Sequence, residues 1–187
     1  MTDPSAGPKS VSRKVPADRP SDLTEIYRSE LAYVWKTLRR LGAPPADLED
    51  LAHDVFVVVH RHLGDYDPSR PLRPWLFGIA LRVVSDFRRL GRNLHEVPGE
   101  RREPVDAAPT PQEQVERREA RALLMKALAA LDLDRRAVFV MHEIDEVPVP
   151  EIAATLAIPL NTAYSRLRLA RADVAAFVGR SRREEKR

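Results

Sequence analysis

Residues 151–172 read EIAATLAIPLNTAYSRLRLARA. An apolar, alanine-rich run is cut at Ile158-Pro159-Leu160-Asn161, and a second run follows with Arg166, Arg168 and Arg171 in quick succession. Proline blocks continuation of the first helix, because it has no amide donor and its ring clashes with the turn before it. Asn161 or Thr162 can cap the second helix by accepting from its free amides. The pattern predicts two short helices joined by a tight turn. Ile152, Ala153, Leu156 and Ile158 supply the inward face of the first helix and the turn, and Ala163 and Leu167 continue it on the second. Tyr164, Ser165, Arg166 and Arg168 fall largely outside that stripe. The second helix of such a motif can enter the DNA major groove, where side chains of these types bond phosphate oxygens and base edges. Ala157 stands where such turns often carry glycine, and a left-handed backbone there costs on the order of 1 kcal/mol.

Composition is compatible with that reading. The chain has 187 residues, 43% of them hydrophobic, which is enough for a core. Net charge is only +3, so the placement of charge carries more information than its sum. There is no cysteine, which excludes disulfides, thiolate metal sites and thiol nucleophiles. The N-terminus MTDPSAGPKSVSRKVPADRPSD lacks the apolar centre of a signal peptide. No stretch approaches the roughly 20 apolar residues of a membrane span. A cytoplasmic protein with no membrane insertion is expected.

Upstream, the periodicity is helical throughout. Leu23, Ile26, Tyr27, Leu31, Val34, Leu38 and Leu41 recur at three- and four-residue steps, and Gly42 with Pro44-Pro45 ends the run. Leu48, Leu51, Ala52, Val55, Phe56, Val59 and Leu63 mark a second helix with acidic first turns, as the helix dipole favours. GDYDPSRPLRP (64–74) reads as a loop, and a third helix follows from Trp75 to Phe87. Trp75 lies on its apolar stripe and is expected in the core. Beyond a proline- and glycine-bearing stretch, Val115 to Leu131 is helical, and Asp134 is a candidate cap for a further helix through Met141. No strand alternation appears. The fold class is all-α: two small helical domains joined by a flexible linker. The divisions are a disordered arm (1–21), a first domain (22–91), the linker (92–113), a second domain (114–180) and a charged tail (181–187).

PADLEDLAHDVFVVVHRHLGDYDPSRPLRPWLFGIALRVVSDFRRL (45–90) resembles region 2 of bacterial sigma factors. The helix-turn-helix, with LLMKALAALDLDRRAVFVMHEIDEVPVPEIA before it, resembles their region 4. No recognisable region 1.1 or region 3 is present, a layout similar to the extracytoplasmic-function group of the sigma-70 family. The resemblance implies binding to core RNA polymerase and promoter DNA, control by an anti-sigma factor, and no cofactor, small-molecule substrate or catalytic residue. The family's acidic DxEDLxQDxF motif is matched by Asp47, Glu49, Asp50, Leu51, Asp54 and Phe56, with His53 for glutamine; in the family this helix docks on the largest polymerase subunit. Tyr66, Arg70, Arg73 and Arg82 fall in the part that opens and reads the −10 element. Leu81-Arg82 stands where relatives often have Arg-Asn, which puts the −10 base preference in question. Asn161, Thr162, Tyr164, Ser165, Arg166, Arg168 and Arg171 fall on the −35 helix, where the family's TVKSR is TAYSR. Arg166, early in that helix, is expected at base edges, and Arg171 at the backbone.

Three rivals remain at this level. An ordinary helix-turn-helix regulator leaves the acidic helix unexplained, and a helical adaptor would not support initiation. A metalloenzyme is disfavoured, because HEIDE (142–146) has Glu146 where H-E-x-x-H needs its second histidine.

Overall fold

The computed structural model describes residues 22–91 and 111–184. The expected N-terminal arm and most of the linker lie outside the described residues. Among the described residues every regular element is helical, with seven α-helices.

Helix α1, Leu23–Leu41, begins at Asp22, whose carboxylate accepts from the Thr24 amide at 3.4 Å. It ends at Gly42, which takes a left-handed φ of 89° and donates its amide to the Leu38 and Arg39 carbonyls. A short 3₁₀ turn at Pro45–Asp47 leads into α2, Leu48–His62. Helix α3, Leu72–Gly91, begins three residues before the expected onset, since Arg73 and Pro74 fit its first turn. The three helices bury Val34, Leu38 and Leu41 of α1, Val55 and Val59 of α2, and Leu76, Phe77, Ala80 and Val84 of α3 completely. Each large apolar side chain buried this way contributes about 1.5–3 kcal/mol.

The second group begins with α4, Pro111–Ala129, so the last residues expected in the linker are already helical. The cap of α5, Leu133–Phe139, is Asp132 and not the expected Asp134. Asp132 is the last extended residue, and its carboxylate accepts from the Arg135 amide at 2.8 Å. Asp134 sits inside the first turn. A wider π turn at Val140–Ile144 follows α5. Helix α6, Val149–Thr155, and α7, Leu160–Glu184, form the helix-turn-helix. Ala157 between them has φ 52°, the left-handed conformation foreseen for that position. The Pro159 carbonyl accepts from the Thr162 and Ala163 amides. Asn161 and Thr162 therefore lie within the first turn of α7 and do not cap it. The helix also runs through the first residues expected in the charged tail, to Glu184.

The two helical groups share one continuous hydrophobic core, which pattern reading had not revealed. Three polar or close contacts define the join. Arg136 of α5, 5% exposed, donates to the Leu41 carbonyl at the end of α1 and to the Leu131 carbonyl, both at 3.0 Å. Arg88 of α3 donates to the same Leu41 oxygen at 2.6 Å. Burial, with the Arg88 charge close by, lowers the Arg136 guanidinium to about 10. The negative end of the α1 dipole compensates part of this. A Cβ at residue 42 would run into both guanidinium groups, so glycine is needed there for space as well as for φ. In the second contact Asp145 accepts from the Tyr33 hydroxyl at 2.8 Å and from Arg40 at 3.2 Å. In the third, Thr155 of α6 rests against Gly78 of α3.

Candidate nucleic-acid and polymerase interfaces

The acidic helix presents its carboxylates as the periodicity requires. Glu49, Asp50 and Asp54 are exposed, and Asp47 is half-buried in the preceding turn. At about 100° per residue, Asp50 and Asp54 stand opposite the buried stripe of Leu48, Val55 and Val59. Phe56 differs from the expectation of a surface contact: it is 6% exposed and belongs to the core. The ring at the surface is Tyr27 of α1, 45% exposed and edge-on to Phe56 at 4.7 Å between centroids. Sequence reading had counted Tyr27 with the apolar stripe; its hydroxyl was the only sign that it stood at the edge.

The loop between α2 and α3 is folded on itself. The Tyr66 hydroxyl donates to the Arg70 carbonyl at 2.6 Å, and Asp67 accepts from the Ser69 amide at 2.9 Å. Tyr66 lies against Trp75, with centroids 4.8 Å apart and planes at 36°. Trp75, expected in the core, is only half-buried and forms part of this aromatic pair. Arg82 is exposed and, seven residues on, shares the Trp75 side of α3. Arg70 is exposed beside Asp67. Arg73 is taken elsewhere: it donates to Glu30 at 2.9 Å and lies 5.1 Å over the Tyr33 ring. The Glu30 hydrogen bond raises its already high pKa.

On α7 the predicted residues divide between two sides. Asn161, Tyr164, Ser165 and Arg168 are exposed on one side. Among the described residues Arg168 makes no ion pair. Thr162 and Arg166 turn the other way, about half a turn from Tyr164. Arg166 is bound to Asp134 at 2.5 Å and is largely withdrawn from solvent. Arg171 meets Glu143 at 2.6 Å. The structure thus separates Arg166 from the Tyr164 side, where the sequence had grouped them.

The HEIDE segment has structural uses. The His142 Nδ1 lies 3.1 Å from the Val147 carbonyl, Glu143 holds Arg171, and Asp145 joins the two helical groups. Burial raises the pKa of Asp145 against the opposing pull of the Tyr33 hydrogen bond and of Arg40. Burial and the same Asp145 charge push the Tyr33 hydroxyl well above its usual range. Around this contact is an open cleft of about 650 Å³ with mixed charge, lined by Lys36, Arg40 and Arg73 from the first helical group and by Asp145, Glu146 and Glu151 from the second. Among the described residues no helix is long and apolar enough to cross a membrane.

Comparison with known proteins matches these parts. Residues 26–93 match the family described as Sigma-70 region 2, and residues 121–174 match Sigma-70, region 4. The RNA polymerase sigma factor NccH of Alcaligenes xylosoxydans xylosoxydans is 30% identical, covering 95% of this chain and 97% of its own. CnrH of Cupriavidus metallidurans, also an RNA polymerase sigma factor, is 33% identical, covering 75% and 78%. Among solved structures, CnrH in complex with the cytosolic domain of CnrY is 27% identical, with a TM-score of 0.60 over 84% of this chain and 87% of that one. The sigma factor RpoE with the anti-sigma factor NepR from Bartonella quintana shares the fold, with a TM-score of 0.65 at 18% identity over 86% and 98%.

Proposed function

This chain belongs to the sigma-70 family, in its extracytoplasmic-function group, and from that premise we propose how its residues divide the work of starting transcription. It binds core RNA polymerase and directs promoter-specific initiation. The observation that carries this function is the ordered pair of region 2 and region 4 matches on one chain.

Asp47, Glu49, Asp50 and Asp54 form the polymerase-docking face, with Phe56 supporting it from beneath and Tyr27 beside it. The exposure of Glu49, Asp50 and Asp54 on α2 supports the assignment. Tyr66, Arg70 and Arg82, joined by Trp75, take the −10 element. A flat ring pair flanked by guanidinium groups suits unpaired bases on a charged backbone. Arg73 joins them only after leaving Glu30. On α7, Asn161, Tyr164, Ser165 and Arg168 face the −35 groove. Thr162 and Arg166 lie at the flank and Arg171 farther along the Tyr164 side; Arg166 and Arg171 exchange Asp134 and Glu143 for phosphates. This revises the expectation that Arg166 leads in base reading; Arg168 takes that place.

The chain works in the cytoplasm, where core polymerase is found, and carries no catalytic chemistry of its own. An anti-sigma partner is part of the proposal. CnrH has been captured with the cytosolic domain of CnrY, and the mixed-charge cleft between the helical groups offers such a segment charges of both signs.

The test is run-off transcription on genomic DNA with purified core polymerase. Transcripts starting at discrete promoters only when this protein is added are expected. Specific DNA binding without polymerase, together with no initiation at any promoter, would refute the assignment.

A further inference from the structure

We propose that Leu160 and Tyr164 form an apolar reader for the 5-methyl group of a thymine in the −35 element. This rests on the assignment of α7 to the −35 groove. Among the described residues four large hydrophobic side chains are exposed: Tyr27, Leu90, Leu160 and Tyr164. Two of the four sit one turn apart at the start of a single helix. Leu160 is 43% exposed and Tyr164 52%. Side chains spaced i, i+4 on a helix are neighbours, so the pair makes one continuous apolar surface.

The core does not account for them. The buried stripe of α7 consists of Ala163, Leu167 and Ala170, and the small alanines bring α5 and α6 close without help from either residue. Among the described residues the Tyr164 hydroxyl has no hydrogen-bond partner, so the ring is not held there by its polar end. An exposed leucine beside an exposed tyrosine is unfavourable in water unless something covers them.

The surroundings identify the cover. Arg168 follows Tyr164 by one turn, and Arg171 lies on the same side of α7. Guanidinium groups beside the apolar pair suit a polyanion, and the −35 groove assigned to α7 supplies one. Within the major groove the apolar group at a base edge is the thymine methyl. The leucine side chain and the tyrosine ring fit it, and the leucine has no donor or acceptor with which to match the edges of guanine or cytosine. In the family pattern TVKSR a lysine stands at this place, and an ammonium seeks phosphate. Tyrosine at 164 exchanges a contact that is blind to sequence for one that reads a base.

The experiment uses holoenzyme assembled from the full chain and core polymerase. A −35 sequence is first selected from a promoter library randomised in that element. Each thymine of the selected element, on either strand, is then replaced singly by uracil, which removes the methyl group and leaves every hydrogen-bonding atom in place. Uracil should weaken promoter binding about fourfold at one or two positions, the equivalent of about 0.8 kcal/mol for one buried methyl. A Leu160→Ser, Tyr164→Lys double variant, checked for wild-type helicity, should bring the thymine-to-uracil ratio to about one. The inference is overturned if uracil is tolerated at every position while the wild type still ranks −35 sequences, if the selected element contains no thymine, or if the ratio survives in the double variant. If binding ignores the −35 element altogether, the groove assignment of α7 itself falls, and with it the inference; that result differs from uracil tolerance because every base change, not only loss of the methyl, is then silent.

Discussion

Replacing Gly78 with leucine should separate the two helical groups while strengthening the one that bears the mutation. A Cβ at this position would meet the Thr155 methyl at 3.4 Å and the Thr155 carbonyl oxygen at 3.7 Å. Alanine therefore just fits. With carbon–carbon bonds of about 1.5 Å, leucine's terminal methyls reach roughly 2.5 Å farther, into space that Thr155 occupies. Overpacking of this kind costs about 1–3 kcal/mol. Within α3 itself, exchanging glycine for leucine or alanine favours the helix by about 0.8–1 kcal/mol. The two effects act on different parts, so the two variants separate them. Gly78→Ala should raise the unfolding midpoint and leave the molecule's dimensions unchanged. Gly78→Leu should increase the radius of gyration in small-angle scattering, or lower energy transfer between dyes on α1 and α6. A leucine variant as compact as the alanine variant, and equally stable, would refute the idea that α6 is seated on α3 through this contact.

Other outcomes follow from single sites. Asp50→Ala with Asp54→Ala should weaken core polymerase binding in a titration and flatten its salt dependence, while unfolding stability stays within about 0.5 kcal/mol, since both residues are exposed. Arg136→Met should change urea stability by no more than about 1 kcal/mol, because relief of guanidinium desolvation offsets two lost carbonyl bonds; a loss above about 3 kcal/mol would show that the bonds dominate. Ala157→Gly should stabilise by about 0.5–1 kcal/mol, read as a rise in Tm, because relief of the left-handed strain exceeds the added freedom of the unfolded chain. Asp132→Ala should cost about 1 kcal/mol through the lost cap of α5, and Asp134→Ala distinctly less.

Much of the fold was legible because helical stripes are local. The runs from Leu23 to Leu41 and from Leu48 to Leu63 declare themselves at three- and four-residue steps; Gly42 marks the end of the first chemically, as Pro159 marks the break between α6 and α7. The cap of α5 was misplaced by two residues because both Asp132 and Asp134 suit a helix start, and only the backbone tells the last extended residue from the first helical one. The join between the two groups was not legible. Tyr33 and Asp145 lie far apart in the chain, and a polar pair of that kind leaves no period. Arg136 was hidden differently: a cation directly before the apolar run Ala137–Met141 reads as the solvated edge of a stripe, yet it is almost completely buried. On α7 the residue types suited DNA, but sorting Arg166 from Arg168 required knowing which side α5 covers.

The ion pairs of Arg166 with Asp134 and Arg171 with Glu143 give the −35 helix counter-ions of its own. A free guanidinium that meets a phosphate displaces mobile salt from the duplex and gains entropy from its release. Here each contact must first expel a carboxylate, which then stands close to a polyanion and draws cations back. Salt dependence should therefore be shallower than the number of arginines implies. Random duplex offers these two arginines little more than a change of partner, so the helix is partly insulated against the great excess of sequences it has no reason to hold.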